Sequence, residues 1–202
     1  MTAARVVPTV LIVPGLRDAV DAHWQTLLAL DLEAQRRKVK TVPPMGRSDL
    51  DCGARVAAIE RAARAIDGPI VLVAHSGGCV MVAHWARQTQ RPVHGALLAT
   101  PPDFERPMPD GYPTVDALQA SGWLPVPRQR LPFPSVVAAS RDDPLGDYER
   151  IEALARDWGS EVVDLGLVGH LNPAWGYGRW GRAEQFIDEL CAHGADTRVA
   201  QA

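Results

Sequence analysis

Cysteine is scarce in this chain and odd in number: Cys52, Cys79 and Cys191, with no C-x-x-C spacing among them. That scarcity gives no reason to expect a disulfide framework, a zinc site or a dithiol redox centre, and fits ordinary thiols in a reducing compartment. Long hydrophobic runs are missing too, since none reaches the roughly 18–20 apolar residues that a membrane span needs. The first such run, Val10–Val13, is soon broken by Pro14 and Gly15. No signal peptide is therefore expected, and a cytoplasmic location is. An excess of one charge is equally lacking. The net charge is −3 with the basic residues scattered, so neither nucleic acid nor an anionic membrane is an expected partner. Neither G-x-G-x-x-G nor G-x-x-x-x-G-K-[ST] follows a strand-like run, which removes the usual signatures of a nucleotide-binding α/β protein. No metal and no cofactor is expected.

What is present reads as a globular domain. The 202 residues, 47% of them apolar and 22% charged, suit one domain over residues 1–202 that buries about 70% of its unfolded surface. Short β-branched runs alternate with helical patterns. Strands are predicted at Val10–Val13, Val39–Val42, Ile70–Ala74, Gly95–Ala99, Ser135–Ala139 and Glu161–Asp164, and several are apolar throughout, as parallel strands covered on both faces are. Helices are predicted near Trp24–Gln35, Gly53–Ile66, Gly78–Gln90, Tyr148–Asp157 and Arg182–His193. The alternation implies βαβ units in a mostly parallel six-stranded sheet, a three-layer α/β/α domain. One stretch departs from it. Thr100–Pro134 holds nine prolines, too many for long helices or strands. Its position near the C-terminal edge of the sheet makes it a lid or substrate-binding wall, with a plain connector as the alternative.

The strand Ile70–Ala74 runs directly into Ala74-His75-Ser76-Gly77-Gly78 and then a helical pattern. A serine at the tip of a strand–turn–helix is the nucleophile elbow, whose tightness demands small residues two before and two after it. Gly78 fills the second place; Ala74 stands where glycine is usual. A helix N-cap is the bland alternative for such a serine. An acid and a base follow in the required order: Asp142-Asp143-Pro144 after the fifth strand and His170 after the sixth. A serine hydroxyl needs a base to take its proton, imidazole titrates near neutrality, and a carboxylate on the other ring nitrogen fixes the tautomer. Asp143 is preferred over Asp142 because Pro144 restrains its backbone. Oxyanion donors are expected from the backbone N–H of Gly77 and, in the loop Pro14-Gly15-Leu16-Arg17, of Leu16. His23-Trp24 could frame the pocket, and Trp123 is placed on the wall that meets the acyl chain, with anchoring to the core as its alternative.

With these residues assembled, the chain resembles the small serine hydrolases related to the retinoblastoma-binding protein nine, a branch of the α/β-hydrolases. The resemblance rests on V-P-G followed by His23-Trp24, A-H-S-G-G at Ala74–Gly78, S-R-D-D-P at Ser140–Pro144 and G-H-L-N-P-A-W-G-Y-G-R-W from Gly169 to Trp180. It implies a compact hydrolase fold and a triad of Ser76, Asp143 and His170 acting on a small-molecule acyl substrate. An esterase acting through an acyl-enzyme is the expected function. An amidase or peptidase with the same triad, or a protein-binding module whose triad is idle, are the alternatives.

Overall fold

The structure, a computed structural model, describes residues 7–17 and 20–199, with side chains as far as residue 192. Six strands form one sheet: β1 (Thr9–Val13), β2 (Val39–Thr41), β3 (Ile70–His75), β4 (Val93–Ala99), β5 (Ser135–Ala139) and β6 (Glu161–Asp164). Their order is β2-β1-β3-β4-β5-β6 and every pairing is parallel. β1, β3 and β5 are buried at every position, whereas β2 and β6, the two edges, are partly exposed.

Alternate side chains of each strand point to opposite faces, and the two faces carry separate cores. Leu11, Val13, Leu72, Ala74, Leu98, Val137 and Ala139 pack under α2 (Cys52–Arg64), α3 (Gly77–Ala86) and α5 (Tyr148–Trp158). Val10, Ile12, Val71, Val73, Leu97, Val136 and Ala138 pack under α1 (Trp24–Ala34) and α6 (Arg182–Val199). Helix starts follow local chemistry. His23 caps α1 by accepting from the Gln25 N–H, Asp51 caps α2, and Asp147 caps α5, which ends at Gly159 with φ 67°.

The Pro-rich segment contains one helix that its composition did not announce, α4 (Val115–Ala120). It fits the stretch between Pro113 and Pro125, with Thr114 as its N-cap. No helix among the described residues is long and apolar enough to cross a membrane.

Candidate active site

Every strand of a parallel sheet points its C-terminal end the same way, so the loops after β1, β3, β5 and β6 meet at one edge. The turn after β3 carries Ser76 at φ 55° and ψ −134°, a left-handed backbone that a serine adopts only when its surroundings impose it. Those surroundings are tight. A β-carbon on Gly78 would lie 2.6 and 2.7 Å from the carbonyl oxygens of Val13 and Pro14, and one on Gly77 would lie 2.7 Å from Leu16 Cγ. Ser76 makes no side-chain capping bond to α3, so its hydroxyl is free for other work.

That hydroxyl lies 2.8 Å from Nε2 of His170. Nδ1 of His170 lies 2.8 and 3.0 Å from the two carboxylate oxygens of Asp143. A carboxylate only accepts, so Nδ1–H donates to Asp143 and leaves Nε2 to receive the serine proton. His170 is 3% exposed. Asp143 also accepts from the Leu145 N–H at 2.9 Å, which fixes the carboxylate. Its neighbour Asp142 faces the loop instead, accepting from the Gly169 N–H at 2.7 Å and from Ser140 Oγ at 2.9 Å. The Gly169 bond, ahead of the Ser140 one, holds the Asp142 carboxyl below its usual range. Ser140 Oγ accepts from the Val168 N–H in the same turn. The loop after β5 therefore bonds the His170 side chain through Asp143 and the turn before His170 through Ser140 and Asp142.

Two more imidazoles stand beside this set. His75, immediately before the serine, places Nε2 3.0 Å from the His170 carbonyl oxygen. Its ring centroid lies 4.9 Å from that of His170 and 4.7 Å from that of His23. Burial drives the His75 pKa well below the ordinary value, with the nearby His170 and His23 adding to it. His23 is held down to about 4, chiefly by burial. His75 is the site residue that sequence reasoning passed over, because the second place of the elbow motif is open to any side chain.

A cleft of about 470 Å³ opens onto Ser76, His75 and His170, within the usual range for small-molecule sites. Its walls come from the loop after β1, from the α1 face bearing Thr26, Ala29, Leu30 and Glu33, from Leu50, and from the Pro-rich segment through Pro102, Phe104, Met108, Tyr112 and Pro113. Leu16 lines it as well. Arg17 also lines it, donating to the Gly111 carbonyl at 3.1 Å and lying over the Tyr112 ring. Among the described residues no group of His, Cys, Asp and Glu could hold a metal ion.

Trp123 does not line the cleft, contrary to its assignment from sequence. It is fully buried, donates from Nε1 to the Leu50 carbonyl at 2.7 Å, and meets the Phe104 ring edge to face at 5.4 Å. The cause is the turn after α4, where the Cys52 N–H bonds to the Ser121 carbonyl and draws the chain inward against α2. Trp123 thus stands behind Phe104 and Leu50, which do face the cleft.

A family model described as serine hydrolase matches residues 10–189. No curated protein matches the chain by sequence. Among solved structures, a YdeN-like hydrolase from Pectobacterium atrosepticum is 28% identical with a TM-score of 0.72, covering 94% of this chain and 91% of that one. The ydeN gene product of B. subtilis is 16% identical with a TM-score of 0.72, covering 92% and 99%. A hydrolase of the alpha/beta superfamily from Xanthomonas campestris pv. campestris is 17% identical with a TM-score of 0.54, covering 96% and 99%.

Proposed function

The chain belongs to the serine hydrolase family and has the α/β-hydrolase fold, and from that premise we propose that it hydrolyses carboxylic esters or thioesters through an acyl-enzyme on Ser76. The observation that supports this most is the unbroken series of hydrogen bonds from Ser76 Oγ through His170 to Asp143, at 2.8 and 2.8 Å. Ser76 Oγ attacks the substrate carbonyl carbon while His170 Nε2 takes the hydroxyl proton. The resulting oxyanion is received by the backbone N–H groups of Gly77, at the start of α3 where amide groups lack helical partners, and of Leu16. The imidazolium, steadied by Asp143, gives its proton to the leaving oxygen or sulfur as that bond breaks. Water, deprotonated in turn by His170, then attacks the acyl carbon, and Ser76 leaves with its proton restored.

The cleft argues for an apolar acyl group. Leu16, Ala29, Leu30, Leu50, Phe104 and Met108 all line it. Labelling with a fluorophosphonate and turnover of a series of nitrophenyl esters test the proposal together. Rapid labelling at Ser76 and hydrolysis that vanishes in Ser76→Ala are expected, a loss of up to about a millionfold in turnover. A folded chain that fails to label would instead be a binding module with an idle triad. Faster turnover of anilides than of the matching esters would make it an amidase.

A further inference from the structure

We infer that His75 is a positioning residue for the base: its side chain ties the residue before the nucleophile to the main chain of His170. The inference rests on the serine-hydrolase reading above and extends it to a residue outside the triad.

A carbonyl oxygen only accepts, so the 3.0 Å contact from His75 Nε2 to the His170 carbonyl requires a proton on Nε2. The ring is 5% exposed and packed between His23, His170 and the edge of Trp24, whose centroid lies 5.9 Å away at 90°. Those two histidines are the titratable groups that face it, and burial keeps it neutral near pH 7. It is therefore a fixed Nε2–H donor, not a second base.

The geometry closes a loop. Ser76 follows His75 in the chain; the His75 side chain holds the His170 carbonyl, and the His170 side chain holds Ser76 Oγ. The amides on either side of His170 are held as well, Gly169 N–H by Asp142 and Leu171 N–H by the Val168 carbonyl. Leu171 itself sits at φ 47°, so the base loop crosses a strained point just past the histidine. The His170 carbonyl adds a side-chain tie to this backbone, and it runs to the strand that presents the nucleophile. Asp143 sets the rotation of the imidazole; His75 sets where that imidazole begins. A displacement of about 1 Å in a reacting group can cost on the order of a hundredfold in rate.

The test compares His75→Phe, which keeps a ring and loses the donor, with His75→Gln, whose amide nitrogen can stand near the place of Nε2. Phe should lower both kcat and the fluorophosphonate labelling rate about 10- to 100-fold with KM little changed, and Gln should restore most of the loss. His75→Met carries the same comparison if the larger ring does not fold, with melting temperature reporting the fold. On the unaltered protein, ¹⁵N spectra at neutral pH should show His75 as the neutral Nε2–H tautomer. A folded Phe or Met variant that labels at the unaltered rate, or an Nδ1–H or imidazolium His75, overturns the role while leaving the proposed function standing. An unaltered protein that does not label at all overturns the proposed function first.

Discussion

Replacing Trp123 by alanine is the sharpest test of how the cleft is supported. The side chain is fully buried against Phe104 and His84, and its indole N–H is bonded to the Leu50 carbonyl at 2.7 Å. Truncating a buried tryptophan to alanine costs about 3–5 kcal/mol. The stranded Leu50 carbonyl adds roughly 1 kcal/mol or more where water does not replace the donor. For a domain of this length each kcal/mol lowers the midpoint by about 2–4 °C, so a fall of roughly 10–20 °C is expected. Trp123→Phe keeps most of the packing but loses the N–H bond and part of the buried indole, about 2–3 kcal/mol. Scanning calorimetry on the three proteins reads the order, and the nitrophenyl ester series read alongside should show the same chain-length preference in Trp123→Phe as in the unaltered protein. An alanine variant that melts normally but shifts chain-length preference would refute the reasoning and return Trp123 to the cleft wall.

Asp143→Asn should lower kcat by about ten-thousandfold by leaving His170 in the wrong tautomer, while Asp142→Asn, at the turn that holds Gly169, should cost far less; the opposite ranking in ester turnover would show the acid to be misassigned. Gly78→Ala drives a methyl group to 2.6 and 2.7 Å from two backbone carbonyl oxygens and should destabilise by about 3 kcal/mol or more, so a melting temperature close to that of the unaltered protein would contradict the tight elbow. His23 takes up a proton near pH 6.5 when unfolded but only near 4 when folded, so stability present above pH 6.5 should drain away as the pH falls toward 4. His23→Asn keeps an acceptor for the Gln25 N–H while removing that titration, and denaturant midpoints between pH 6.5 and 5 that keep the same slope would exclude His23 as a source of it.

The sheet was legible because its strands are short, apolar and punctuated. Ser135–Ala139 and Glu161–Asp164 have the same limits in the sequence and in the structure, each standing between turn or proline residues and a helical pattern. The order Ser76, Asp143, His170 was legible because each follows a readable strand, and a parallel sheet carries the ends of β3, β5 and β6 to one edge. Side-chain direction was not. Nothing in a pentapeptide says that His75 turns toward the His170 carbonyl, because that acceptor lies 95 residues away. Trp123 was misread for a related reason. A tryptophan in an irregular segment has no periodicity to declare its face, and here the short helix before it, hidden among prolines, turns it inward.

The Pro-rich segment is nevertheless held in a way that bears on the cleft. Asp103, which is nearly buried, pairs with Arg150 of α5. Arg128 bridges Glu105 at 2.9 Å and Asp157 at 2.8 Å. Single exposed ion pairs contribute little, but a linked set that joins both ends of a segment to one helix opposes its separation more than any pair does. Arg17, in the loop after β1, adds a tie to the segment at Gly111 and Tyr112. With φ fixed at each proline and Trp123 pinned beneath Phe104, the segment lacks the slack of a swinging lid. Under the proposed function, acyl groups should therefore be sorted by the shape of a standing wall.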